Sequence, residues 1–251
     1  MIPSPIHKAL LIFRNYNARF LLMGGQACIL YGAAEFSRDL DLSIGEDDQS
    51  LEYVRKILDE LHAENIFVPS LNADTLKRGH ACHFRCHTPE TEGLRIDLMT
   101  CMRGCDDFEV LWSRRTIIRL PEIGDLSVLS LPDLVKTKKT QREKDWPMIR
   151  RLIEVDILQS QNQPTEKQLS FWFRECRTPS ELIRLAAQRP DICRSISSQR
   201  PLLVYAFAKD EKALEKSLLE EELAEKTDDR AYWMPLRMEL EKWRHEKRGK
   251  Q

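Results

Sequence analysis

Hydrophobic positions near the start of the chain follow first a helical and then a strand periodicity. Residues 6–13 place apolar side chains at the spacing of one helix face, and Pro5 suits the first turn of that helix. The segment RFLLMGG predicts a short buried strand that ends at glycine. Residues 25–31 then predict one short helix, which ends near Gly32.

A strict alternation follows in the segment RDLDLSI. Its two leucines and its isoleucine fall on one face of the predicted strand, and Asp39, Asp41 and Ser43 fall on the other. This pattern predicts a strand whose carboxylates point out of the core. The next segment, DDQSLEYVRKILDELHAE, predicts an amphipathic helix with an acidic first turn, and the segment IFVP predicts a short strand after it.

Two further alternating segments, HACHFRCH and LRIDLMT, flank the turn-rich segment TPETEG. They predict a hairpin with a long loop. On the return strand, Arg95, Asp97 and Met99 share a face. On the first strand, His83 and Arg85 lie on the face opposite the cysteines, and we expect that face to be the one that Asp97 shares. The histidines and cysteines lack the tight spacing of a compact zinc site, so we interpret Cys82 and Cys86 as core residues.

The rest of the chain is predicted to be mostly helical. After two short strands in WSRRTIIRLPEIGDLSVLS comes a basic helix over LPDLVKTKKTQREKDWPMIRRLIEVDIL, interrupted near residues 145–147. The polar segment QSQNQPT predicts a linker, which divides the chain into residues 1–160 and 161–251. The tail from Lys209 to Gln251 predicts an exposed, salt-bridged helix pair. The fold class is therefore predicted as α/β, with a mixed sheet flanked by helices and a helical C-terminal domain.

Composition narrows the setting of the protein. Lys and Arg number 39 and Asp and Glu number 40, so bulk charge gives no reason to expect a nucleic-acid coat, and any anion site must be local. No apolar run approaches the length of a membrane span. Seven cysteines without a secretion signal predict reduced thiols and a cytoplasmic location.

Carboxylates and glycines supply the candidate chemistry. Asp39 and Asp41 stand at i and i+2 on one strand, close enough to share a divalent cation, and Asp97 on a neighbouring strand would complete an oxygen cage. Such a cage can hold two metal ions that activate a hydroxyl and clamp a triphosphate. Gly24 and Gly25, at the start of a helix, allow phosphates to approach the backbone closely.

This order of motifs, GG followed by SRDLDL and then RIDLM, resembles the DNA polymerase beta-like nucleotidyltransferase superfamily. More narrowly, it is similar to the bacterial minimal nucleotidyltransferase and AbiEii-type groups, in which a later helix also carries lysines, as LPDLVKTKKTQREKDWPMI does here. The resemblance covers roughly residues 18–150. It implies that Asp39 and Asp41 are the metal-binding pair, that Asp97 is the third carboxylate, and that Gly24 and Gly25 form the phosphate loop.

Basic and hydroxyl residues would complete the nucleotide site. The resemblance places Lys136 near the triphosphate, and Lys139 lies on the same helix face as a second candidate. Glu35 departs from the family pattern, in which a basic residue often precedes a Ser or Thr, so the nucleotide contact from that loop is expected from Ser37 and Arg38. A solvated helix face remains the alternative for the lysines of this segment.

The resemblance implies transfer of a nucleoside monophosphate from an NTP, such as ATP, to an acceptor hydroxyl, with Mg²⁺ or Mn²⁺ as cofactor and pyrophosphate as product. The acceptor stays open between RNA such as tRNA, a partner protein as in toxin–antitoxin systems, and a small molecule such as an aminoglycoside. One alternative is a nucleotide-sensing or partner-binding module that keeps the fold without turnover. Another is a helical interaction protein built on residues 160–251.

Overall fold

The computed structural model describes residues 4–34 and 36–249. Glu35, whose departure from the family pattern is noted above, and the last two residues of the predicted tail helices lie outside the described residues. The chain divides into two compact units. The first comprises the residues up to Thr137 together with the segment from Ala231 onward, and the second comprises Lys138–Arg230.

The first unit is built on a mixed sheet, to which the described residues contribute seven strands in the order β3-β4-β5-β2-β1-β7-β6. The strands are Phe20–Leu22 (β1), Leu40–Ile44 (β2), Glu64–Asn65 (β3), Cys82–Arg85 (β4), Arg95–Met99 (β5), Thr116–Leu120 (β6) and Gly124–Val128 (β7). β2 pairs with β5, and β1 with β7, in parallel, whereas the other neighbours are antiparallel. The predicted α/β class with a mixed sheet is confirmed.

Helices flank this sheet. In chain order they are Ser4–Asn15 (α1), Gly24–Leu30 (α2), Asp48–Glu60 (α3), Ala73–Lys77 (α4), Phe108–Ser113 (α5) and Leu131–Lys138 (α6). The apolar face of α1 is buried, as its periodicity predicts. α3 begins where the Asp47 side chain accepts a hydrogen bond of 2.9 Å from the Ser50 amide, which satisfies one of the unpaired N–H groups of the first turn.

Burial along the strands follows the predicted alternation. Leu40, Leu42 and Ile44 are fully buried, and β4 and β5 form the predicted antiparallel hairpin. Ser43 is also fully buried, although it shares a face with Asp41. β2 is a central strand covered on both sides, so only part of its second face reaches solvent.

The predicted strand IFVP was also wrong. The strand of that region, β3, is Glu64–Asn65 and ends before the segment begins. A proline in the segment supplies no N–H to a sheet ladder, and one short pairing with β4 is made by the preceding residues instead.

The second unit is helical. Its helices are Asp145–Ser160 (α7), Glu166–Glu175 (α8), Pro179–Gln188 (α9), Pro190–Ser197 (α10) and Leu203–Ala208 (α11). The break in the predicted basic helix falls at residues 139–144, not at residues 145–147. Pro147 instead lies in the first turn of α7, where its missing N–H would have had no helical partner.

The last helix, Glu211–Arg248 (α12), corrects the prediction of a helix pair in the tail. It is continuous over 38 residues, with Pro235 inside it. An interior proline removes one helix hydrogen bond and favours a kink, yet the helix does not end at Pro235. The helix contributes Glu211–Arg230 to the second unit and the remainder to the first. The division into residues 1–160 and 161–251 stays a prediction.

Within the described part of the chain, no helix is both long enough and apolar enough to cross a membrane.

Candidate active site

The parallel pairing of β2 with β5 brings two of the three predicted carboxylates together. Asp41 is the direct register partner of Asp97. Neighbouring strands lie about 4.8 Å apart, and residues in register point to the same face, so both carboxylates rise from the same patch of the sheet. Asp39 precedes β2 by one residue and is half-buried. Asp39 therefore lies at the N-terminal end of β2.

Gly24 brings the start of α2 against this patch. Its φ of +63° is in the left-handed region, and a Cβ built on it would clash with the Oδ2 atom of Asp41. The Met23 amide also donates a hydrogen bond of 3.0 Å to the Asp41 carbonyl. Glycine is therefore needed here for the close approach of a carboxylate, in addition to any role in phosphate binding, which stays a prediction.

Gly25 allows a similarly close approach of the loop that follows α2. A Cβ at Gly25 would clash with the Ser37 hydroxyl. The buried Gln26 donates a hydrogen bond of 2.9 Å from Nε2 to the Ser37 carbonyl, and Ser37 Oγ lies 3.5 Å from the Asp39 carbonyl. The loop is thus fastened to the first turn of α2.

The two residues of this loop that were predicted to contact the nucleotide, Ser37 and Arg38, differ in their surroundings. Ser37 lies directly at Gly25, so its hydroxyl is beside the helix start. Arg38 is exposed, and its guanidinium carbon lies 5.7 Å from the ring centroid of Phe36, which is itself 64% exposed. The loop therefore presents a cation and an aromatic ring to solvent.

Asp97 is held by two basic side chains. Arg95 donates to both of its oxygens, at 2.8 Å from Nε to Oδ1 and 2.9 Å from Nη2 to Oδ2. His83, its register partner on β4, lies 2.8 Å from Asp97 Oδ1 and 3.1 Å from Arg95 Nη2, both through Nδ1. A hydrogen bond to the ionised carboxylate, which only accepts, requires a proton on Nδ1. Sequence reasoning did not assign this role to Arg95, although the i, i+2 spacing on one strand face was the signal for it.

The protonation of Asp97 follows from these contacts. Burial by itself would raise the pKa of the carboxyl, but the hydrogen bonds from His83 and Arg95 outweigh it and lower the pKa below the ordinary value of 3.8. The pKa of the Arg95 guanidinium is raised, first by its hydrogen bonds to Asp97 and then by the charges of Asp97, Asp39 and Asp41. Arg95 is thus the positive centre of the carboxylate cluster.

The donor set can be compared with the expected metal site. Carboxylate oxygens are the ligands that Mg²⁺ and Mn²⁺ prefer, so Asp39 and Asp41 fit one such cation. Asp97 does not fit as a shared third ligand while Arg95 spans both of its oxygens. Among the described residues, no group of three or more His, Cys, Asp or Glu side chains is placed to hold a metal ion. The metal-binding roles of Asp39, Asp41 and Asp97 stay a prediction.

The two predicted phosphate lysines are both close to carboxylates. Lys136, on α6, has its Nζ 3.5 Å from Asp133 Oδ1. Lys139 belongs to the second unit, where its Nζ lies 2.7 Å from Glu175 Oε2 and 3.6 Å from Glu225 Oε1. A phosphate role for either lysine stays a prediction, and it would require the lysine to exchange these carboxylates for phosphate.

Cys82 and Cys86 are fully buried on the opposite face of the β4 region. Burial raises the pKa of both thiols to about 11, so they are protonated at neutral pH. Their surroundings are those of core residues, as the alternation of the strand predicts.

Comparison with known proteins gives similarity in structure but not in sequence. No protein-family model matches the chain, and no curated protein matches it. A proposed nucleotidyltransferase from Thermotoga maritima is similar with a TM-score of 0.36 and 14% identity, covering 63% of this chain and 88% of its own. A proposed nucleotidyltransferase from Helicobacter pylori has a TM-score of 0.41 and 13% identity, covering 86% and 96%.

A third solved structure, JHP933 from Helicobacter pylori, has a TM-score of 0.37 and 12% identity, covering 87% of this chain and 93% of its own. Similarities of this size do not carry over an activity. Function has to follow from the residues of the site.

Proposed function

We propose that the protein is a nucleotidyltransferase, which moves a nucleoside monophosphate from an NTP to an acceptor hydroxyl and releases pyrophosphate. The register of β2 against β5 carries this proposal, because it places Asp41 beside Asp97 on one face, with Asp39 next to them. Carboxylates are costly to place side by side unless a cation joins them. The glycine turn packs on Asp41, so α2 begins beside the same patch.

Each residue of the patch has a distinct task in this proposal. Asp39 and Asp41 would hold a magnesium or manganese ion, which neutralises triphosphate charge and lowers the pKa of a hydroxyl bound to it. Ser37 and the exposed Arg38 would contact the triphosphate from the loop after α2. Lys136 is the further candidate for a phosphate contact.

Asp97 is better suited to positioning than to proton abstraction. Its pKa is lowered, and both of its oxygens already accept hydrogen bonds from Arg95, so it is a weak base. The carboxylate instead fixes the Arg95 guanidinium beside the reacting groups. A fixed cation stabilises the charge that develops on the phosphate oxygens, which is the main catalytic requirement of phosphoryl-type transfer.

The reaction itself exchanges one bond for another at phosphorus. The acceptor oxygen bonds to the α-phosphorus, and the bond from that phosphorus to the bridging oxygen breaks. Pyrophosphate leaves with the electron pair, and the hydroxyl proton passes to solvent or a nearby base.

The acceptor is proposed to be RNA such as tRNA, a partner protein in the manner of a toxin–antitoxin pair, or a small molecule such as an aminoglycoside. Salt dependence separates the first class from the others. Transfer to RNA should fall steeply as ionic strength rises, because phosphate contacts release counterions.

A second candidate is a nucleotide-binding module without turnover. The pair of Arg95 with Asp97 favours it, because the guanidinium occupies oxygens that a two-ion mechanism would need. Such a module would bind ATP in the presence of Mg²⁺ and would release no pyrophosphate.

One experiment decides between these functions. The pure protein is incubated with Mg²⁺ and each α-³²P-labelled NTP in turn, together with total bacterial RNA, a cell extract or an aminoglycoside panel. The Asp41→Asn variant serves as the inactive control, and Asp125→Asn, a change at an exposed carboxylate on β7, serves as the matched control.

Label in one fraction with wild type and Asp125→Asn, but not with Asp41→Asn, would support nucleotidyl transfer and name the acceptor class. Nucleotide binding without pyrophosphate release in any fraction would support the binding module instead. Equal labelling by wild type and Asp41→Asn would contradict the proposed site.

A further inference from the structure

Arg95 occupies the oxygens of Asp97, the carboxylate that the sequence predicted as the third metal ligand. Its guanidinium spans the two oxygens of Asp97, with Nε and Nη2 at 2.8 and 2.9 Å. Such a bidentate pair is directional and stronger than a single ion contact. The side chains of Arg95 and Asp97 are 33% and 16% exposed, so the pair is largely shielded from water.

Phe67 and His83 surround the pair of Arg95 with Asp97. The central carbon of the guanidinium lies 6.0 Å from the ring centroid of Phe67, at the limit of a cation–π contact. The same Phe67 ring packs edge-on against His83, with the ring centroids 5.8 Å apart, and His83 in turn donates to Asp97. Arg95, His83 and Phe67 therefore form one supported cluster around a single carboxylate.

We propose that Arg95 takes the place of the second divalent cation at Asp97, so that the site holds one divalent ion, at Asp39 and Asp41, beside a fixed guanidinium. This inference rests on the proposed function, since it concerns how that site neutralises a bound triphosphate. It also names Arg95 as a residue of the site, with the same electrostatic task as the ion that it replaces.

Two physical reasons exclude a second ion next to this pair. The Asp97 oxygens already accept from two guanidinium N–H groups and one imidazole N–H group, so few lone-pair directions are left for a metal that prefers several oxygen ligands. A divalent ion at Asp97 would also stand next to the guanidinium, and like charges in a partly buried site repel strongly. Arginine stays protonated at any pH at which the protein is folded, so the replacement is permanent.

The number of bound ions tests this inference directly. Protein saturated with a non-hydrolysable α,β-methylene NTP analogue is titrated with Mn²⁺, and free Mn²⁺ is measured by electron paramagnetic resonance. Wild type should hold one ion per bound nucleotide. Arg95→Gln should hold two, because the Asp97 oxygens are then free of the guanidinium.

Two variants control for changes in charge and for the location of the second ion. Arg85→Gln removes the same charge from the register neighbour of Arg95, on the same face of the sheet, and should leave the count at one. Adding Asp97→Asn to Arg95→Gln should return the count from two to one, because the second ion would lose its carboxylate. Circular dichroism checks that each variant is folded.

Two ions per nucleotide in wild type would overturn the inference, and so would a count of one in folded Arg95→Gln. If Arg95→Gln does not fold, the wild-type count decides, with one ion in support and two against. The proposed function fails separately: one ion per nucleotide without transfer to any acceptor would contradict the function and not the ion count. Nucleotidyl transfer by a wild type that holds two ions would support the function and contradict the inference about Arg95.

Discussion

In the first unit, Asp97 and Asp133 each accept two hydrogen bonds from one arginine, but their surroundings differ. Asp133, in the first turn of α6, accepts from Arg114 Nε at 2.7 Å and from its Nη2 at 2.6 Å. Asp97 accepts from Arg95 with nearly the same geometry. In both cases burial would raise the carboxyl pKa, but hydrogen bonds from the arginine and a second donor lower it.

The surroundings separate the two pairs. Asp133 is 1% exposed, it also accepts from the Ser130 hydroxyl, and Arg114 also contacts Asp106. Asp97 is more exposed and has Asp41 beside it in register. A closed pair of this kind contributes to stability, whereas a pair beside other carboxylates leaves a cluster of charge that a ligand can use. The neighbours of an ion pair, and not the pair itself, distinguish a structural from a functional role.

The largest expected difference between the two aspartates is in activity. Asp97→Asn should reduce the rate of nucleotidyl transfer by about 10²- to 10³-fold, because Arg95 loses the charge that fixes it. Asp133→Asn should leave the rate per folded molecule unchanged. Release of pyrophosphate under saturating NTP measures both, and an equal loss in the two variants would remove the distinction.

For stability, the larger loss is expected at the pair of Arg114 with Asp133 and the smaller loss at the pair of Arg95 with Asp97. Arg114→Met leaves a fully buried carboxylate without its main cation and should lower the free energy of unfolding by about 3 kcal/mol. Arg95→Met should cost about 1 kcal/mol, because Asp97 is partly exposed and keeps its bond to His83. Urea unfolding followed by circular dichroism measures both values. A larger loss in Arg95→Met would contradict the structural assignment of the Arg114 pair.

The contact between the glycine turn and Asp41 can be tested with a matched pair of glycines. Gly24 and Gly93 both have positive φ, but a Cβ at Gly93 would meet nothing within 4 Å. Gly93→Ala should cost about 1 kcal/mol of backbone strain. Gly24→Ala should cost at least about 1 kcal/mol more, because it overlaps Asp41. Equal losses in urea unfolding would show that the Asp41 carboxylate is not held against the turn.

The smallest expected effect is on the pH dependence of stability. Because the folded pKa of Asp133 is lowered, its contribution is complete above the ordinary pKa of 3.8 and is lost as the pH falls through the folded pKa. Wild type should therefore lose stability on acidification more steeply than Asp133→Asn. Urea unfolding at a series of pH values between about 2 and 6 compares the two slopes.

Asp156 in the second unit gives the opposite sign and serves as the control. Burial raises its pKa, although Trp172 Nε1 donates to it at 2.6 Å. Its folded form holds a proton at pH values where the unfolded form does not, so its contribution grows as the pH falls. Asp156→Asn should therefore lose stability on acidification more steeply than wild type. If both variants changed the slope of the free energy of unfolding against pH in the same direction, these assignments would be contradicted.

Much of the fold could be predicted because its signals are local. The alternation of RDLDLSI and RIDLM predicted strands with buried leucines, and the spacing in residues 6–13 predicted α1. The errors occurred where a local signal competed with packing. The tail was predicted as a pair of helices, yet α12 is continuous with Pro235 inside it. The apolar segment IFVP was interpreted as a strand, yet the pairing uses the residues before it.

The candidate site was predictable in its residue types and not in its contacts. The sequence marked Asp39, Asp41, Asp97 and the glycine pair as unusual for their positions. The i, i+2 spacing placed Arg95 and Asp97 on one face, but it did not fix that Arg95 would donate to both oxygens. Nothing in the sequence indicated that Gly24 would pack on the carboxylate of Asp41. Several cations and carboxylates compete for partners, and the distances between strands decide among them.

The sequence by itself therefore determined which faces of the strands are apolar, where the carboxylates alternate with them, and where glycine permits a sharp turn, because these properties depend on neighbouring residues along the chain. The tertiary structure decided that β5 lies parallel to β2 with Asp97 opposite Asp41, and that Arg95 occupies Asp97. Strand order and register depend on how distant segments bury their apolar faces together, and that choice has no local signal.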